Sequence, residues 1–139
     1  MEYKHISVLF NECLEGLNLK RGQKIIDCTL GGAGHSKAIL DAISPKGQLI
    51  SFDLDPASIE NAKKILADYK EGKDYLLIND NFVNLKEDLN KLGINKVDGI
   101  LMDLGISSYK LDDETRGFSF KGDYPLDMSF SGKEKYNAE

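Results

Sequence analysis

The stretch IIDCTLGGAGHS at residues 25–36 joins a short apolar run to a glycine-rich turn and then to the start of a helical pattern. Three of the four residues at 31–34 are glycine, and an acid, Asp27, lies just before the turn. A glycine turn between a strand and a helix lets a bound molecule approach the backbone closely and reach the free N–H groups at the helix start. The stretch therefore predicts a ligand-binding turn, because a flexible linker would not lie between a strand and an amphipathic helix.

Short apolar runs and amphipathic stretches alternate along residues 22–105. The predicted strands are QKIIDCT, GQLISFDLD, YLLIND and KVDGILMDLG, and the predicted helices are HSKAILDAI, DPASIENAKKILADY and NLKEDLNKLG. Strands that alternate with helices are typical of a parallel sheet with helices on both faces. The predicted fold class is therefore α/β, with right-handed connections between the strands.

The composition is that of one globular domain. The chain has 139 residues, of which 41% are hydrophobic, and its formal net charge of −5 counts against a nucleic-acid partner for the chain taken alone. No apolar run approaches the ~20 residues of a membrane span, and no signal-peptide pattern opens the chain, so we expect a cytoplasmic location without membrane contact. The two cysteines and two histidines lack metal-ligand spacing, and no metal is expected.

A second acid narrows the prediction to a ligand that contains a nucleoside. Asp53 ends the second predicted strand, roughly 20 residues after Gly31, which is the separation expected of an acid that binds ribose hydroxyls. The dinucleotide fingerprint G-x-G-x-x-G/A fails, because Lys37 occupies its third small position when Gly32 is the first. The layout D-x-x-x-G-G-A-G from Asp27 onward looks instead like the first motif of S-adenosylmethionine-dependent methyltransferases.

Seven segments read together carry a closer resemblance. They are KHISVLFNECLEGL, DCTLGGAGHS, FDLDPASIENAK, DNFVNL, VDGILMDLGISS, LDDETRGFSF and DYPLDM, in this order. Over nearly the whole chain they resemble the bacterial ribosomal RNA small-subunit methyltransferase H family. The resemblance implies a Rossmann-like class I methyltransferase fold and S-adenosyl-L-methionine as the cofactor. It also implies methylation of the exocyclic N4 amine of a cytidine in 16S rRNA of the small ribosomal subunit.

The resemblance further implies a set of cofactor-contacting residues at the ends of the predicted strands: Ala33, Gly34, His35, Asp53, Phe82, Asp103 and Lys110. In this set Asp53 holds the ribose and Phe82 lies against the adenine. His35 is expected to contribute its backbone N–H and to transfer no proton. Lys110, after Tyr109, stands where the family commonly has a glutamine that contacts the cofactor.

Asp103 is the candidate catalytic residue. Methyl transfer from a sulfonium is an in-line displacement in which positioning does most of the work. An acceptor aimed at the cytidine N–H would favour the reactive geometry of the amine and help the proton leave. Asp103 suits this role because it ends the fourth predicted strand, although it could instead cap the loop LGISS. Asp27 is expected to accept hydrogen bonds from turn amides, and Asp55 to cap the following helix.

The segment after residue 105 has little periodicity. In RGFSF, Phe118 and Phe120 would either stack an extruded base, with Arg116 on phosphate, or bury the loop against the sheet. These two interpretations stay open at the level of the sequence.

Three regions are predicted: an N-terminal arm at 1–21, a Rossmann-like half that binds S-adenosylmethionine at 22–108, and an active-site loop with an incomplete start of the substrate-binding insertion at 109–139. Members of the family are longer, so the chain is expected to be an N-terminal part, truncated after the fourth strand. That strand would then be an apolar edge, and we expect poor stability or self-association. Two alternative functions are a catalytically incomplete cofactor-binding fragment and a nicotinamide-dependent oxidoreductase, and Lys37 argues against the second.

Overall fold

The computed structural model describes residues 9–106, 111–119, 123–131 and 138. The chain divides into two compact units, and the described residues up to Asp103 belong to one unit and those from Leu104 to the other. In the first unit four parallel strands form one sheet: β1 (Lys24–Asp27), β2 (Gln48–Phe52), β3 (Tyr75–Ile78) and β4 (Gly99–Leu101). The described helices are α1 (Phe10–Leu17), α2 (Gly34–Ile43), α3 (Pro56–Ile65) and α4 (Leu85–Lys91). The predicted α/β fold class is confirmed.

The strand order β3–β2–β1–β4 locates a binding crevice. From β1 the chain adds β2 and β3 on one side and then returns to place β4 on the other side. In open parallel sheets, ligands bind at such a reversal, outside the carboxyl ends of the two strands that flank it. Here these strands are β1 and β4, so the glycine turn after β1 and Asp103 after β4 lie at the same edge.

The core lies on both faces of the sheet because neighbouring strand residues point in opposite directions. Ile25 and Ile26 are both fully buried, and each belongs to a different apolar cluster. The cluster around Ile25 includes apolar residues of α2 and is packed by α1, whereas the cluster around Ile26 includes Leu89 of α4. Helices therefore cover both faces, as the alternating pattern predicts.

Local signals set the start of α3. Asp55 is its N-cap and accepts a hydrogen bond from the Ala57 amide at 2.9 Å, and Pro56 is the first helical residue. The predicted capping role of Asp55 is confirmed. The carboxylate satisfies one of the amides that a helix start leaves without an internal partner.

Two elements differ from the sequence predictions. Helix α1 lies within the region predicted as an arm, and its eight residues end at Leu17, before the C-cap Asn18 in the left-handed region. A helix this short is marginal on its own, and Leu14 and Leu17 pack it against the core around Ile25. Strand β4 is shorter than its apolar run, because β1 pairs with it only from Gly99 to Leu101.

Strand β4 is an outer strand of the described sheet, and two apolar side chains in or next to it are exposed to solvent. Ile100 is 45% exposed and Met102, one residue after the strand, is 50% exposed. We expect concentration-dependent self-association of the chain through this edge, measurable by sedimentation velocity. Ile100→Lys should reduce the associated fraction, whereas Leu92→Lys, at a similarly exposed position after α4, should not. A monodisperse monomer with a sharp thermal transition would contradict this prediction.

Candidate functional site

The glycine turn is held in a tight, partly left-handed conformation. Gly31 has φ +48° and Ala33 has φ +62°, and Ala33 is the N-cap of α2. The Leu30 amide donates a hydrogen bond to the Phe52 carbonyl at 3.0 Å, which ties the turn to β2. The Ala33 amide donates to the Leu30 carbonyl at 2.7 Å, which closes the turn. The first amides of α2, beginning at Gly34, have no carbonyl acceptor within the helix, because the residues four positions earlier precede it. They are therefore candidate donors to an anionic group of a ligand.

Asp53 joins the turn to the end of β2. Its Oδ2 accepts a hydrogen bond from the Gly31 amide at 2.8 Å, and its Oδ1 accepts one from the Asp55 amide at 2.8 Å. The structure brings Asp53 into contact with the turn, as the spacing predicts for an acid that shares a ligand with it.

Asp27 lies beneath the turn as a fully buried carboxylate. Its Oδ1 accepts from the Thr29 amide at 3.0 Å, and its Oδ2 accepts from the Ser36 hydroxyl at 2.7 Å. The Ser36 hydroxyl in turn lies 2.8 Å from the Ser51 hydroxyl on β2. The prediction that Asp27 accepts a turn amide is confirmed, and the two serines, which the sequence analysis missed, extend the network to β2 and α2.

Burial raises the pKa of the Asp27 carboxyl above its ordinary value of 3.8, and the hydrogen bonds from Ser36 and Thr29 oppose this rise. The folded chain therefore binds the proton more tightly than the unfolded chain. It follows that the stability contributed by Asp27 is fully present below its unfolded pKa and is lost as the pH rises through the raised folded pKa.

We therefore expect the unfolding free energy of the wild type to fall, relative to that of Asp27→Asn, as the pH rises from the ordinary carboxyl pKa of 3.8 through the raised folded pKa. Urea titrations of both proteins over a series of pH values measure the difference. Asp80→Asn is the control, because the Asn81 amide holds the pKa of Asp80 below its ordinary value and its contribution changes only at lower pH. A difference between wild type and Asp27→Asn that does not vary with pH would contradict the prediction.

Asp103 follows β4 and lies next to His35. Its amide donates to the Thr29 hydroxyl at 2.8 Å, and its Oδ2 is 3.7 Å from His35 Nδ1. The His35 ring is buried and stacks on Phe10 with a centroid distance of 4.8 Å. Its Nε2 finds no hydrogen-bond partner among the described residues. The sequence predicted only a backbone role for His35, and the structure adds a side chain that faces the candidate catalytic carboxylate.

Phe82 follows β3 at the same edge of the sheet. It begins a short 3-10 helix, Phe82–Asn84, that Asn81 caps by accepting from the Val83 amide, and its side chain is 36% exposed. Asn79, just after β3, donates from Nδ2 to the carbonyl oxygen of Asp53 at 2.8 Å. This bond ties the end of β3 to the end of β2, a contact that sequence spacing alone does not indicate. Lys110 lies outside the described residues.

In the unit that starts at Leu104, Arg116 and Phe118 each contact another residue of the same unit. Arg116 Nε lies 3.2 Å from Asp113 Oδ2, and Phe118 packs edge-on against Phe130 with a centroid distance of 5.9 Å. Both contacts lie within this unit, so they test neither base stacking nor burial of the loop against the sheet. Phe120 lies outside the described residues, and the two alternatives for RGFSF stay predictions.

Two absences apply to the described part of the chain. It contains no group of three or more His, Cys, Asp or Glu side chains arranged to hold a metal ion. None of its helices has the length and apolar character needed to cross a membrane.

The parallel sheet, its strand order and its glycine turn define a Rossmann-like α/β fold. The structure is similar to a crystal structure of a candidate rRNA methylase from Clostridium thermocellum, with a TM-score of 0.52 and 21% identity over 61% of this chain and 46% of that one. It is also similar to an S-adenosylmethionine-dependent O-methyltransferase from Thermotoga maritima, with a TM-score of 0.51 and 16% identity over 59% of this chain and 32% of that one.

The chain belongs to the MraW methylase family, whose sequence pattern matches residues 2–139. It is 49% identical over 138 residues to ribosomal RNA small subunit methyltransferase H of Clostridium botulinum strain Loch Maree and 47% identical over 138 residues to that of Clostridioides difficile. Each alignment covers 99% of this chain and 44% of the relative, so the chain spans less than half the length of these proteins. The resemblance found in the sequence is confirmed.

Proposed function

We propose that this chain supplies the S-adenosyl-L-methionine site of an enzyme that methylates the N4 amine of a cytidine in 16S rRNA. The relatives are ribosomal RNA small subunit methyltransferases, which supports the reaction and the substrate. The observation that carries the cofactor proposal is the bond from the Gly31 amide to Asp53, because it joins the turn and the ribose-binding acid in one rigid unit.

The residues at the crevice fit this cofactor. A Cβ added at Gly34 would meet no atom closer than Phe10 at 4.0 Å, and one added at Gly31 would meet only the Thr29 carbonyl at 3.8 Å. The glycines therefore leave open space beside the amides, as a cradle for a ligand requires. The α2 amides suit the carboxylate of the methionine part, and Asp53 suits the ribose hydroxyls.

The other proposed contacts follow from their positions. Ala33 and the amides of Gly34 and His35 would border the amino-acid part, and Phe82 after β3 would lie against the adenine. Lys110 stays in the proposed set on the resemblance alone.

Asp103 would act on the acceptor amine. When bound, S-adenosylmethionine supplies the electrophilic methyl group. The Asp103 carboxylate, 38% exposed and placed after β4, would accept the N–H of the cytidine amine and take up its proton. His35 Nδ1, on a buried side chain, lies 3.7 Å from this carboxylate.

Calorimetric titration of the chain with S-adenosylmethionine and, separately, with NAD tests the cofactor proposal. We expect binding of S-adenosylmethionine and none of NAD. A preference for NAD would overturn the proposal and favour an oxidoreductase. Transfer of a radiolabelled methyl group to 16S rRNA tests the reaction, and binding without transfer would favour the alternative of a catalytically incomplete cofactor-binding fragment.

A further inference from the structure

We infer that Thr29 is a positioning residue that holds Asp103 at the methyl-transfer position. The inference rests on the proposed function for its chemical meaning, and on the hydrogen bonds between β1 and β4 for its geometry. It assigns a role to a side chain that neither the glycine motif nor the ribose-binding acid requires.

The ladder between β1 and β4 ends just before the site. The register pairs Asp27 with Leu101, and the Cys28 amide donates to the Leu101 carbonyl at 2.9 Å. Beyond this point the chain after β1 bends into the glycine turn, so its backbone no longer runs beside β4. The Asp103 amide donates a hydrogen bond to the Thr29 hydroxyl at 2.8 Å. This hydroxyl takes the place that a backbone carbonyl of β1 would have in a continued strand pairing. This one side chain therefore extends the strand pairing to the residue that carries the candidate catalytic carboxylate.

The orientation of the Thr29 hydroxyl follows from the donors and acceptors around it. A hydroxyl has one proton to donate and two acceptor positions. Thr29 Oγ1 accepts from the Asp103 amide at 2.8 Å, and its own proton is directed towards Asp27 Oδ1, at 3.4 Å. The contact with Asp27 is longer than an ordinary O–H···O hydrogen bond, so the bond to the Asp103 amide is the stronger of the two.

The opposite side of Asp27 is ordered in the same way. The Ser36 hydroxyl lies 2.7 Å from Asp27 Oδ2 and 2.8 Å from the Ser51 hydroxyl. Asp27 is therefore connected on both sides, through Ser36 to β2 and α2 and through Thr29 to the end of β4. The network links the cofactor turn to Asp103 through Thr29.

Amide hydrogen exchange of the isotopically labelled chain, read residue by residue by NMR, tests the inference without any ligand. Thr29→Val removes the acceptor and keeps the β-branched shape. We expect exchange at the Asp103 amide to become about 3- to 10-fold faster, the ratio set by the loss of one ordinary hydrogen bond. The Cys28 amide, in the same ladder, serves as the internal reference for any global loss of stability. Thr29→Ser, which retains the hydroxyl, should restore the wild-type rate at Asp103.

Ser36→Ala is the matched control, because it removes the other hydroxyl donor to Asp27 and does not touch Asp103. It should leave the exchange of Asp103 unchanged relative to Cys28. Unchanged Asp103 exchange in Thr29→Val, or equal acceleration in Thr29→Ser, would overturn the inference.

If the wild-type chain fails to bind S-adenosylmethionine, the proposed function fails, while the exchange comparison still decides whether Thr29 positions Asp103.

Discussion

Replacing Asp27 by alanine should lower the free energy of unfolding by on the order of 2–4 kcal/mol, because a buried donor left unpaired costs about 1–3 kcal/mol and a lost hydrogen bond about 1 kcal/mol. The substitution strands the Thr29 amide, which lies 3.0 Å from Oδ1. It also removes the 2.7 Å bond of the Ser36 hydroxyl, which keeps its contact with Ser51. A small domain is typically stable by only about 5–15 kcal/mol. Urea titration followed by circular dichroism should therefore show a much earlier transition.

Two variants sharpen this test. Asp27→Asn keeps the shape and one acceptor oxygen for the Thr29 amide, so it should cost less than half as much as alanine. Asp68→Ala removes an exposed carboxylate and should change stability by no more than about 0.5 kcal/mol. A transition of Asp27→Ala that coincides with that of the wild type would show that the buried network contributes nothing to the fold.

Replacing Asp53 by alanine should weaken the binding of S-adenosylmethionine by roughly 1–3 kcal/mol, which is about 5- to 150-fold, through loss of the ribose acceptor. The variant also strands the Gly31 amide, which donates to Asp53 Oδ2 at 2.8 Å. The turn then loses its tie to β2 in addition to the direct contact with the cofactor. Isothermal titration calorimetry measures the affinity, and thermal denaturation reports the structural share of the effect.

Asp55→Ala separates these two contributions. Asp55 lies two residues after Asp53 and caps α3 through the Ala57 amide, so its loss should cost about 0.5–2 kcal/mol of stability. It should leave the affinity for the cofactor close to that of the wild type. Equal affinities of Asp53→Ala and wild type would remove Asp53 from the site.

Features that depend on neighbouring residues could be predicted from the sequence. The alternation of apolar runs and amphipathic stretches predicts the parallel sheet, and the Asp55–Pro56 pair predicts the start of α3. The acid after β2 could be placed near the turn because the carboxyl ends of parallel strands share one edge. In each case the relevant distance is short along the chain or is fixed by the fold class.

Features that depend on register and packing could not be predicted. Ser51 meets Ser36 because β1 and β2 pair Asp27 with Ser51, a register that apolar patterning does not specify for a four-residue strand. The approach of His35 to Asp103 requires the return of the chain to place β4 beside β1. Helix α1 forms through contacts of Leu14 and Leu17 with distant core residues, and its own eight residues carry no capping side chain.

The left-handed backbone of Ala33 has a consequence for how the crevice receives a molecule. A non-glycine residue in this region carries a steric cost of roughly 1–2 kcal/mol, and the fully buried methyl group of Ala33 keeps it there. Glycine would adopt the same angle more readily but would also leave it more readily. The alanine therefore makes the rim of the crevice stiffer before any molecule binds. The backbone of the rim then loses less conformational entropy when a molecule binds to it.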